Sequence, residues 1–204
     1  MRIKNNPDGS KKPSFIEIAR RAQIMECAIE VIADLGYAHA SLDQIARRAG
    51  ISKGVISYHF NGKDELIQEI IKTQYISGYT FITSRLKTES SAAGILRAYI
   101  ESDLEFMRLN PRHLIALVDI YLNDRNAAVK LYSDNEIDLK NLEKMLKSGQ
   151  ESGEFREFPT REMALAIRAA IDAVPIKMRR DPSLDIAAYA RELTIIFDLA
   201  TRKN

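Results

Sequence analysis

Residues Ser41–Lys63 read SLDQIARRAGISKGVISYHFNGK, the pattern of two short helices joined by a tight turn. Ser41 sits where an N-cap hydroxyl accepts from an otherwise unpaired backbone N–H. Gln44, three residues on, completes a capping-box pattern. Leu42, Ile45, Ala46 and Ala49 recur at helical spacing, so one face is apolar. Gly50 ends this helix at a position where positive φ carries no steric cost, and Ser52 is placed to cap the next. On the second helix Ile56 and Phe60 share one face. Gly54 and Tyr58 share the other, flanked by Val55 and Ser57, with Lys53 in the first turn. That outer face is small at its N-terminal end and donor-rich beyond it, which suits a helix laid in a DNA major groove. A surface helix packed on its neighbour has the same spacing.

The run AGISKGVISYHF (Ala49–Phe60), the GKDEL that follows (Gly62–Leu66), and Leu35-Gly36-Tyr37 with Ser41 upstream resemble the DNA-binding domain of the TetR family of bacterial transcription regulators. The resemblance covers roughly residues 18–72; downstream only a compatible helical pattern remains. It implies an all-α chain of about nine helices. Residues 14–62 would form a three-helix, helix-turn-helix DNA-binding domain, and residues 63–204 a helical ligand-binding and dimerisation domain. By the same resemblance Ser41, Tyr58, His59 and Lys63 meet phosphates. Ser52, Lys53, Gly54 and Val55 lie where the recognition helix enters the groove, Val55 within reach of a thymine methyl. Many family members carry an aromatic residue where this chain has Ser57; serine can pair with several bases, so the resemblance leaves the base contacts at this position open. The implied partners are a near-palindromic double-stranded DNA operator, a second copy of the chain bound through the last two helices, and a small-molecule effector. Repression relieved by that effector is the family's usual mode.

Composition fits this picture. The chain has 204 residues, 46% of them hydrophobic, and no apolar run near 18 residues, so no membrane span is expected. The N-terminus MRIKNNPDGSKKPS has no apolar core of a secretory signal, and Cys27 is the single cysteine, so cytoplasm is the expected location. Residues 1–63 hold ten Lys/Arg and six Asp/Glu; the remainder holds 20 and 22. The basic excess thus coincides with the proposed reading head. The three histidines, His39, His59 and His113, lie far apart in sequence. No HExxH, CxxC or Gly-rich phosphate loop occurs. No enzyme activity, cofactor or metal is expected. The other readings are a DNA-binding regulator without a ligand and a helical interaction protein.

Along the chain, residues 1–13 read as a flexible basic tail, either an arm on DNA or simply solvated. Helix 1 is expected over about Phe15–Leu35, with Ile24, Ala28, Val31, Ile32 and Leu35 as its apolar stripe, Gly36 as its stop, and Tyr37 and Cys27 against the core. A long helix opens at Lys63, with Gly78 as a kink or a close contact. Thr88–Gly94 reads as a loop, followed by helices over about Ile95–Leu109, Pro111–Asn123 and Asn126–Ser152. Gly149 and Gly153 mark a fraying end. Thr160 is placed to cap an alanine-rich helix reaching Arg180, interrupted by Pro175. A last helix covers residues 184–202. Ligand-lining candidates are Tyr99, Phe106, Met107, Leu117, Tyr121, Met163 and Ile167, a stripe that plain core packing also explains. Asp103, Asp119 and Asp172 are candidate partners for a cationic ligand.

Overall fold

A computed structural model describes residues 14–181 and 183–203, with the backbone alone for residues 130–134. The expected basic arm (residues 1–13) and Pro182 of the Asp181–Ser183 turn lie outside the described residues. Among the described residues there are nine helices: α1 (Phe15–Leu35), α2 (Leu42–Ala49), α3 (Lys53–His59), α4 (Gly62–Leu86), α5 (Ala92–Leu109), α6 (Pro111–Asn123), α7 (Arg125–Glu151), α8 (Thr160–Arg180) and α9 (Ile186–Thr201). The fold is all-α; an isolated antiparallel bridge between Phe155 and Arg202 is the sole extended pairing among the described residues.

Local chemistry sets most of the helix ends. Ser14 and Ser41 each form a complete capping box, with Glu17 and Gln44 respectively. Gly50 takes the left-handed conformation at φ 65°. Other ends differ from expectation. Ser52 makes no side-chain capping bond, and Thr160 is the first helical residue, preceded by Pro159. α5 begins at Ala92 because the Ser91 hydroxyl accepts from the Gly94 amide, which shortens the expected loop.

The helices bury two hydrophobic cores. The first joins Ile24, Ala28, Val31 and Ile32 of α1 with Ile45, Ile56 and Phe60, with Leu66–Ile71 on α4, and with Ala116 and Ile120 of α6. The second joins α5, α7, α8 and α9 around Leu104, Leu146, Ile171 and Val174. α4 serves both, because Ile82 and Leu86 near its far end pack on the second core. Leu35 falls outside the apolar stripe and is half exposed. Gly78 is a close contact: a Cβ there would stand 3.3 Å from the Phe106 ring. α8 continues through Pro175, which has no N–H to donate.

Gly149 is a packing position and does not mark a fraying end. A Cβ at this residue would fall on the ring of Phe155, which is buried, and 3.0 Å from Ala92 Cβ. Gly149→Ala is therefore expected to destabilise the fold by about 1–3 kcal/mol through overpacking. Thermal unfolding checks this, with the midpoint falling about 2–4 °C per kcal/mol in a chain of this size; an unchanged midpoint contradicts it.

Candidate nucleic-acid interface and internal cavity

The α2–α3 pair presents one face inward and one outward. Ile56 and Phe60 are fully buried, whereas Lys53, Gly54 and Ser57 are exposed and Tyr58 is 75% exposed. Val55 and His59 are half-buried, and the His59 ring meets Tyr58 edge-on at 5.0 Å. Ser52 is exposed at the head of α3. Ser41 stands exposed at the N-terminus of α2, where its hydroxyl accepts from the Gln44 amide at 3.3 Å. Its own amide donates to the Gln44 side-chain oxygen, Oε1, at 2.8 Å. Lys53 Nζ pairs with Asp43 at 2.9 Å across the turn.

Lys63 is held more tightly than a surface lysine. Its ammonium donates to the Tyr37 carbonyl at 2.7 Å and lies 4.0 Å above the Tyr37 ring. Partial burial pulls its pKa below the usual lysine range. Tyr37 in turn donates its amide to Asp119 of α6 at 2.5 Å and its hydroxyl to Asp124 at 2.8 Å. Asp124 also caps α7, accepting from the Asn126 and Ala127 amides. The Ala127 amide bond, with the Tyr37 hydroxyl and the Asn126 amide, holds its carboxyl below the usual carboxylate range. Arg179 of α8 pairs with Asp119 at 2.9 Å.

Arg21, on α1, is a positioning residue that sequence reasoning missed. Its guanidinium donates to the His59 carbonyl at the end of α3, stacks 4.1 Å over the Phe60 ring, and stands 3.8 Å from both Glu65 and Glu69. A cation at a helix C-terminus also suits the helix dipole. The one sequence signal was its place three residues before Ile24, on the inward edge of α1.

Behind the head, α4, α5 and α7 enclose a cavity of about 370 Å³, completed by Leu114 of α6 and Arg168 of α8. Of the expected lining residues, Tyr99, Asp103, Phe106 and Met107 are on its wall. Leu117 and Tyr121 pack on the first core instead, Met163 packs on the second, and Ile167 is fully buried within it. Asp119 serves Tyr37 and Arg179, and Asp172 pairs with Arg168. The lining residues missed include Tyr75, Tyr79 and Ile82 on α4, Asp138 and Asn141 on α7, and Arg168. Tyr75, Tyr79 and Ile82 continue the helical spacing of Leu66, Ile67, Ile70 and Ile71 on α4, and spacing alone does not show that the stripe leaves the first core after Ile71.

Residues 24–70 match the family model for bacterial regulatory proteins, tetR family. The HTH-type transcriptional regulator BetI 1 of Chromohalobacter salexigens is 33% identical over 92 residues, 45% of this chain and 46% of that protein. The chain spans about half the length of the curated relatives it matches. Among solved structures, a protein from Saccharomonospora viridis in complex with choline superposes with a TM-score of 0.78 at 21% identity, covering 92% of this chain and 100% of that one. The transcriptional regulator FadR from Bacillus subtilis, in complex with stearoyl-CoA, gives 0.72 at 23% identity, covering 86% and 96%. At these identities the likeness shows a shared fold.

Arg21→Met keeps the apolar stem but leaves the His59 carbonyl without its charged donor. The expected cost is about 1–3 kcal/mol. Hydrogen exchange provides the check: α3 amides should exchange faster than in the parent protein while those of α5 do not change. Equal protection of α3 in both proteins would remove Arg21's positioning role.

Proposed function

We propose that this chain, whose residues 24–70 match the family model for bacterial regulatory proteins, tetR family, is a sequence-specific transcriptional regulator that binds a near-palindromic operator as a homodimer and leaves it when a small molecule enters the cavity. One observation carries the reading. The outer face of α3 is held toward solvent with a large aromatic residue, Tyr58, uncovered beside Lys53, Gly54 and Ser57, while its inner face is locked into the core. Phosphate contacts then set affinity and base edges set specificity. Ser41, Tyr58, His59 and Lys63 take the phosphates, and Lys53, Gly54, Val55 and Ser57 face the bases. Ser52 heads the same helix. Residues 14–62 act as the reading head and residues 63–204 as the ligand and dimer part, working in the cytoplasm.

Two further observations support the remaining parts. The cavity favours a ligand-responsive regulator over one whose interior is filled by side chains. Leu165 and Ile176 on α8, with Ile195, Ile196 and Leu199 on α9, stand about half exposed, an apolar surface suited to pairing the last two helices with those of a second copy. Ligand binding would then shift a population between a DNA-competent and a released arrangement.

Selection of bound sequences from a random DNA pool at near-physiological salt should enrich a near-palindrome; binding that merely fades with salt, without enrichment, would refute a sequence reader. Lys63→Ala should weaken binding to all sequences alike and reduce the slope of affinity against salt by about one. Replacing Ile195 and Leu199 together by Asp should turn the dimer into a monomer in sedimentation. A persistent dimer would move the interface away from α9.

A further inference from the structure

Asp103, Asp138 and Arg168 are the Asp, Glu, Lys and Arg side chains that line the cavity among the described residues. The single cation is already committed. Arg168 donates to Asp103 at 2.6 Å and to the Tyr99 hydroxyl at 2.7 Å, and its other terminal nitrogen donates to Asp172. Its side chain is 15% exposed. One guanidinium therefore faces two carboxylates, Asp103 and Asp172. An anionic ligand reaching Arg168 would compete with Asp103 and Asp172 for the guanidinium, and a buried carboxylate that loses its partner is strongly destabilising.

The neutral part of the wall favours the opposite charge. Tyr75 and Tyr79 stack nearly parallel, 6.4 Å apart and 17° from coplanar. The Tyr75 hydroxyl lies 3.2 Å from Asp138, so aromatic rings and carboxylate meet at one end. Burial raises the pKa of the Tyr99 hydroxyl, so Tyr99 stays neutral there. Aromatic faces attract cations, the more so where water is excluded. Beyond this end the wall becomes apolar, with Ile82, Leu86, Leu142 and Met145.

We propose that the cavity binds a small organic cation, an amine or quaternary ammonium on a short apolar body, with its charge between Asp103 and Asp138 against the tyrosine rings. The proposal rests on the reading of the cavity as an effector site. The volume is that of about a dozen liquid waters, which sets the scale of the ligand.

Titration calorimetry on the full chain with hexyltrimethylammonium, hexanoate and hexanol tests it, since the three probes share one chain and differ in charge. The cation should bind at least about tenfold tighter than either of the others, the scale expected of one cation–π and charge contact. Asp138→Asn, which keeps the shape and one acceptor oxygen for the Tyr75 hydroxyl, should lower cation affinity by about tenfold. Asp103→Asn should lower it too and raise hexanoate binding by releasing Arg168. Thermal midpoints of both free variants separate loss of folding from loss of binding. Hexanoate or hexanol binding as tightly as the cation, or no binding of the cation to the parent protein, overturns the proposal. Operator release is measured separately. Hexanoate-driven release would discard the cation and leave the regulator standing. Cation binding by a chain that selects no DNA sequence would do the reverse.

Discussion

Tyr37 has every bonding group it owns engaged at the seam between the helix-turn-helix and the helices behind it. Its amide goes to Asp119, its carbonyl and ring to Lys63, and its hydroxyl to Asp124. Buried polar groups tolerate few alternatives, because an unmade bond carries the full desolvation cost of the group. The turn before α2 is therefore fixed against α4 and α6 together. Gly36 makes the approach feasible: at φ 84° it lets the chain turn, and a Cβ there would sit 3.4 Å from the Asp119 carboxylate. Without this seam, α2 and α3 would still be tied to α1 through Arg21 and Arg48, but the turn before α2 would lose its polar ties to α4 and α6.

The same seam reaches the cavity. Asp119 pairs with Arg179 near the C-terminal end of α8, and Arg168, three turns earlier on that helix, closes the cavity wall. α4 is the second connection, with its first half in the head's core and its far half forming the cavity wall. A ligand that moves α4 or α8 therefore acts on groups that Tyr37 binds directly. Coupling of this kind needs two discrete packings of rigid elements, and two hydrophobic cores joined by one continuous helix provide the rigid elements.

What could be read from the sequence was what is local in the chain. The bounds of α1, the capping box at Ser41, the left-handed Gly50 and the start of α6 at Pro111 depend on residues within four positions of one another. The inward face of α3 was equally legible, because Ile56 and Phe60 repeat at helical spacing. The misses depend on partners far away in sequence. Gly149 looks like a helix end until Phe155 is folded back on it. Arg168 looks like a solvated arginine on an alanine-rich helix until Tyr99 and Asp103, more than 60 residues earlier, are beside it. The lining of the cavity is opaque for the same reason: periodicity says which residues turn inward, not whether anything fills the space they face. Tyr99 and Ile167 share that inward pattern, yet one borders the cavity and the other solid core.

The cations of the reading head are mostly spent within the fold. Arg48 divides itself between Glu30 and Asp34, each at 2.7 Å, Arg21 stands near Glu65 and Glu69, and Lys53 holds Asp43. Residues 14–63 carry six basic and five acidic side chains, so most of the surplus positive charge of the first 63 residues belongs to residues 1–13. Nonspecific attraction to DNA scales with the counterions a protein displaces, and cations already matched by carboxylates displace few. In the proposed reading, residues 14–63 would add little nonspecific attraction of their own, and discrimination of a true site would depend on the fit of α3 rather than on the bulk charge of these residues.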